Sequence, residues 1–129
     1  MGSTLGPAAE WSFPARPDAV RAARAVVREV LGGWGLHPVV DITVLLVSEL
    51  VTNSLRYTGG PIGVRVGLVG GCLLVEVSDP LPDPPRERAA APDDEGGRGL
   101  QLVALSALRW GTRRGKSGKT VWFELSAAG

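Results

Sequence analysis

The stretch from Pro38 to Tyr57 constrains the fold more than any other part of the chain. Val39, Ile42, Leu45, Leu46, Leu50 and Val51 fall near one broad face at helical spacing, and Val40, Val44, Val47 and Leu55 carry the apolar surface well round the cylinder. A helix that is apolar over most of its circumference is covered on more than one side. This segment therefore predicts a central helix with packing partners on at least two flanks. Glu49 and Asn53 interrupt the apolar surface.

The flanking sequence supplies those partners. Arg16-Pro17-Asp18 reads as a helix start, because proline pre-sets the backbone angle and an acidic residue suits the first turn. Ala19, Ala22, Ala23, Val26, Val27 and Val30 then recur at helical spacing to Leu31, and Gly32-Gly33 closes the segment. Ile62, Val64, Val66 and Leu68 alternate with Gly63, Arg65 and Gly67, the period of a half-buried strand. Gly70-Gly71 turns the chain into Cys72–Val77, a second strand that ends at Asp79. Five prolines between residues 80 and 96 argue against a regular element there, and a long loop in a compact domain is usually functional or mobile. Arg98–Leu108 reads as a third helix, Trp110 begins a strand, and Thr120–Leu125 closes as another. Glu10–Phe13 reads as a short first strand, with residues 1–9 disordered and one domain over 10–127. Hairpins together with gathered helices predict an α+β two-layer sandwich, helices on one face of a mixed, mainly antiparallel sheet.

Composition narrows the function classes. The chain has 129 residues, one ordinary domain in size, with 14 basic and 13 acidic residues and a net charge of +1. That balance gives no electrostatic pull toward nucleic acid or an anionic membrane. One cysteine, Cys72, and one histidine, His37, exclude an internal disulfide and a Cys/His zinc site. No basic segment followed by an apolar one opens the sequence, and the apolar run Ile42–Val47 is far shorter than a bilayer is thick, so the expected location is cytoplasmic. Cys72 reads as a small core residue and His37 as a surface one.

Three places combine residue types with chemistry. Glu49 and Asn53, four apart, lie one above the other on one helix face. A carboxylate on an apolar helix is costly to bury unpaired, and it can accept a proton from a hydroxyl. An asparagine carbonyl oxygen is a hard ligand suited to Mg²⁺. The plain alternative is two exposed polar residues. Asp79 at a strand end can accept a hydrogen bond from an exocyclic amino group, or be an ordinary turn residue before Pro80. Gly96-Gly97-Arg98-Gly99-Leu100 precedes a helix, where glycine admits close approach and the helix end offers free N–H groups to a phosphate; a flexible hinge is the alternative. Gly115-Lys116-Ser117-Gly118-Lys119-Thr120 only superficially resembles a P-loop, since Arg113 stands where its first glycine belongs and a strand follows. Arg109, Arg113, Arg114, Lys116 and Lys119 make this hairpin basic, either as solvated charges or as a docking surface.

Taken in order, Glu49-Leu50-Val51-Thr52-Asn53, Val77-Ser78-Asp79, Gly97-Arg98-Gly99-Leu100 and Lys119-Thr120-Val121-Trp122-Phe123 resemble the ATP-binding fold shared by gyrase, heat-shock chaperones, sensor histidine kinases and mismatch-repair ATPases. The chain resembles in particular the anti-sigma-factor serine/threonine kinases, stand-alone members of the histidine-kinase-like group, over Ala15 to Leu125. The resemblance implies ATP and Mg²⁺ as ligands and a fixed set of roles. Glu49 would be the base that activates a serine hydroxyl on an anti-anti-sigma partner, and Asn53 the Mg²⁺ ligand. Asp79 would read the adenine amino group, with the Thr120 hydroxyl close by. Gly97, Arg98, Gly99 and Leu100 would form the phosphate-binding segment, under a lid over 80–96. Two departures stand out: prolines follow Asp79 where the group usually has glycines, and Tyr57 replaces a common histidine.

The reading is therefore an anti-sigma factor with protein serine/threonine kinase activity, partnered by a sigma factor and an anti-anti-sigma protein and able to form a homodimer. The alternative is a catalytically weak or inactive module that switches partner binding with nucleotide. A DNA-binding domain is disfavoured by the near-zero charge, and a sensor histidine kinase by the lack of room for a phosphoacceptor helix pair.

Overall fold

The computed structural model describes residues 5–80, 95–115 and 118–129, with side chains 5 and 95–98 outside that description. The elements run β1 (Leu5–Phe13), α1 (Asp18–Gly33), α2 (His37–Tyr57), β2 (Ile62–Val69), β3 (Cys72–Asp79), α3 (Glu95–Ser106), β4 (Arg109–Gly115) and β5 (Gly118–Ser126). The five strands form one sheet in the order β1-β2-β3-β5-β4. All four pairings are antiparallel, so the sheet expected to be mainly antiparallel is antiparallel throughout the described residues.

Strand alternation decides which sheet face is covered. Leu73, Val75, Val77 and Asp79 on β3 are buried, as are Val121, Phe123 and Leu125 on β5 and Ile62, Val64 and Val66 on β2. These side chains meet α2, whose Val39, Val40, Val44, Leu46, Val47, Leu50 and Val51 are buried. On its other flank α2 receives α1 through Ala19, Ala23, Val27 and Leu31, spaced four apart down one stripe. The central helix is thus covered on two sides, as its circumference predicts. By length and mean hydropathy α2 would also pass for a membrane span, but half of that window is buried inside the domain.

Several boundaries shift, each for a local reason. β1 starts at Leu5 rather than Glu10, because Leu5 pairs with Val69 and Ala8 to Phe13 pair with Gly67 to Ile62 of β2, with a register shift between Leu5 and Ala8. Residues 5–9 therefore belong to the sheet, and residues 1–4 lie outside the described residues. Gly32 and Gly33 stay helical; the left-handed position is Gly35, at φ 76°, just before the start of α2. His37 opens α2 and is exposed. Cys72 is only half-buried: it alternates with buried Leu73 and so leaves the sheet on the uncovered face, against the expectation of a core position.

That uncovered face is laced by charge. Arg65 bridges Glu10 at 3.6 Å and Glu76 at 3.3 Å, Arg113 also pairs with Glu76, and Arg109 meets Glu124 at 2.7 Å. Glu124 holds the Arg109 guanidinium above its ordinary pKa. The basic hairpin is therefore internally neutralised at Arg109, Arg113 and Lys119, which favours solvated, paired charges over a free cationic surface; Lys116 lies outside the described residues.

Candidate functional site

The last residue of the central strand and the second half of the central helix meet at one buried polar contact. Ser54 Oγ donates to Asp79 Oδ2 at 2.9 Å. Both residues are buried, and Asp79 is the one buried carboxylate among the described residues. Burying a carboxylate is costly unless donors meet it, and here a second donor approaches: Lys119 Nζ lies 3.7 Å from the same oxygen. Asp79 is thus a supported interior anion at a strand end, which the turn-residue alternative does not predict.

The exit from Asp79 is held by glycines. A Cβ on Gly60 would collide with the Pro80 ring, and a Cβ on Gly118 would collide with the Asp79 carbonyl oxygen. Gly118 also adopts φ 149°, where side chains are strained. The β4–β5 turn therefore closes directly on the Asp79-Pro80 backbone. Beside it lies a cavity of about 390 Å³ lined by Ser78, Asp79, Arg113, Arg114, Lys119 and Thr120, among others.

Next to Ser54 in the chain, Asn53 Oδ1 is buried and has no hydrogen-bond partner among the described residues. Such an acceptor is rare in a folded protein and marks a site completed by a ligand, water or ion. Among the described residues no group of three His, Cys, Asp or Glu side chains could hold a metal by itself. A cation at Asn53 would therefore share its coordination with ligand oxygens, the usual mode of Mg²⁺ beside phosphates.

The glycine segment faces this part of α2. α3 begins at Glu95 rather than Arg98, so Gly97, Arg98 and Gly99 lie in its first turns instead of ahead of it. Gly99 is buried, and a Cβ placed there would stand 3.5 Å from Glu49 Cβ and 3.6 Å from the Glu49 carbonyl oxygen. The start of α3 thus lies against Glu49 at ordinary contact distance. Leu100 packs against the core and anchors that turn. The half-buried Glu49 also lines a groove of about 440 Å³ between α1 and α2, with Arg24, Arg28, Ser48 and Thr52. Of the expected lid, residues 81–94 lie outside the described residues, as does the Arg98 side chain.

Thr120 lines the same cavity as Asp79, and its hydroxyl is engaged on the sheet itself. Its Oγ1 is 2.8 Å from Ser78 Oγ, and the two residues are register partners. Because Asp79 alternates with Ser78, this pair leaves the sheet on the face opposite the Asp79 side chain. The sequence reading missed two residues that do face Asp79. Ser54 looks like any helical serine and is placed by the packing of α2 on β3, while Lys119 looks like turn charge and is placed by the β3–β5 register.

Among the described residues, three helices packed on a five-stranded antiparallel sheet make an α+β fold consistent with that of a nucleotide-binding ATPase domain. The family model described as histidine kinase-like ATPase domain matches residues 13–125, and the chain belongs to that family. Among solved structures, the chain is similar to the RsbU and RsbW domains of Rv1364c from Mycobacterium tuberculosis, with a TM-score of 0.73 and 23% identity. That match covers 94% of this chain and 32% of the other, so this chain spans about a third of its neighbour. At that identity the likeness concerns the fold. No curated protein matches the sequence at a significant level.

Proposed function

We propose that this domain binds ATP with Mg²⁺ and acts as an anti-sigma factor that phosphorylates a serine or threonine hydroxyl of an anti-anti-sigma partner. The observation that carries the reading is the meeting of α3's glycine turn with Glu49, one helical turn from the Asn53 oxygen that has no partner among the described residues. The likeness to a structure that contains an RsbW domain supports the pathway. A cytoplasmic location and a sigma-factor partner follow from the same reading.

The residues present fit the ligands. Asn53 would hold Mg²⁺, which neutralises phosphate charge when bound. Asp79 would accept from the adenine amino group. The first turn of α3 offers N–H groups and a positive dipole end to the phosphates, and Gly99 leaves room for that approach. Glu49 would take the proton of the partner's hydroxyl as its oxygen bonds to the terminal phosphorus and ADP departs. Such transfer relies mainly on positioning and charge stabilisation.

Incubation with radiolabelled ATP and a serine-bearing cognate antagonist tests the reading. Labelled serine is expected with the wild type, and Glu49→Gln should abolish it while sparing nucleotide affinity. Unchanged labelling in that variant rejects Glu49 as the base. One observation favours the second reading, a nucleotide-dependent switch without transfer: Asp79 and Glu49 line separate cavities. Under it, ATP changes partner affinity and no serine is labelled.

A further inference from the structure

Lys119 stands directly opposite Asp79 in the β3–β5 register. Side chains opposite one another on antiparallel strands leave the sheet on the same face. Lys119 therefore shares the helix-facing side with Asp79 and with buried Val121, while Thr120 takes the other side. Its side chain is only 15% exposed, unusual for lysine, and its Nζ lies 3.7 Å from Asp79 Oδ2. Ser54 Oγ donates to that same oxygen at 2.9 Å. Gly118, just before it, fits only without a side chain, which fixes where the Lys119 stem begins. A buried ion pair is a poor stabiliser compared with apolar packing. The placement of this lysine at the one buried carboxylate among the described residues is therefore better explained by what the carboxylate recognises.

We propose that Lys119 is a positioning residue for base recognition: together with Ser54 it holds one oxygen of Asp79, fixing the orientation of the carboxylate before nucleotide arrives. A carboxylate so held accepts hydrogen bonds and gives none, so it favours a purine bearing a 6-amino group. The role rests on the assignment of Asp79 to the base. Lys119, not Thr120, is then the β5 residue that sets base selectivity.

The test is calorimetric titration of the full chain with Mg-ATP and with the Mg complex of purine riboside triphosphate, which lacks the 6-amino group. The wild type is expected to prefer ATP by about tenfold or more, the size of a lost hydrogen bond to a charged group. Lys119→Met should bring that ratio below about threefold, and Lys119→Arg should restore most of it. A purely structural role would weaken both ligands alike and leave the ratio unmoved. Should Lys119→Met not fold, Lys119→Gln gives the same readout, since it also removes the ammonium opposite Asp79. Wild-type selectivity that persists in the folded variants overturns the role of Lys119 alone. A wild type that binds both nucleotides equally overturns the assignment of Asp79 to the base, and this role with it.

Discussion

Replacing Ser54 by alanine removes the hydroxyl that donates to Asp79 Oδ2 at 2.9 Å while leaving the helix intact. Both partners are buried, which raises the cost of losing the hydroxyl. Hydrogen bonds to charged groups contribute about 1.5–3 kcal/mol, and a buried acceptor that loses its donor bears its desolvation cost. Lys119 at 3.7 Å still faces the oxygen and softens the loss, so the expected destabilisation is about 1.5–2.5 kcal/mol. Alanine's higher helix propensity returns a few tenths, or roughly 0.5 kcal/mol at most. Urea denaturation of wild type, Ser54→Ala, Asp79→Ala and the double variant forms a cycle that isolates the pair. The expected outcome is an unchanged urea slope and a coupling of about 1–2 kcal/mol between positions 54 and 79. Coupling below about 0.3 kcal/mol, the level of independent sites, would refute the claim that Ser54 anchors the carboxylate.

Gly118→Ala places a methyl group against the Asp79 carbonyl at a strained φ, so a loss of about 2 kcal/mol or more is expected in thermal unfolding, whereas an exposed flexible turn would change by less than about 0.5 kcal/mol. Thr120→Val removes the hydroxyl bonded to Ser78 on the uncovered face; stability should fall by about 1 kcal/mol, while ATP affinity measured by calorimetry stays within about threefold of wild type. Gly99→Ala meets Glu49 only at ordinary contact distance, so chemical denaturation should show the fold unchanged or stabilised by up to about 1 kcal/mol.

Features that depend on local pattern were legible in the sequence. The all-round apolar surface of His37–Tyr57 gives away a doubly covered helix, because burial on two flanks leaves no polar stripe to find. Alternation in Ile62–Val69 and Cys72–Asp79 marks a hairpin and sets Asp79 at its end. Residues fixed only by pairing stay hidden. Gly6-Pro7-Ala8-Ala9 carries no strand signal, yet Ala8 and Ala9 pair with Gly67 and Val66 of β2, beyond a register shift at Gly6-Pro7. Thr120 and Lys119 are adjacent in sequence and opposite in orientation, and the Asp79–Lys119 register decides which of them faces the carboxylate. Cys72 reads as a core residue for the same reason, since the parity of an apolar run such as CLLV is invisible without its neighbours. Ser54 escapes notice because a buried hydroxyl and a solvated one look the same in a helix.

Under the proposed function, the Glu49–Asn53 face of α2 and the glycine turn of α3 enclose a magnesium nucleotide. Calorimetric titration of ATP into wild type and Asn53→Ala, each with and without Mg²⁺, tests it most directly. Wild-type binding should strengthen with Mg²⁺, and the Asn53→Ala variant should stay folded but lose that magnesium dependence. Folded wild type that binds no ATP, or a variant whose response to Mg²⁺ matches wild type, would contradict it.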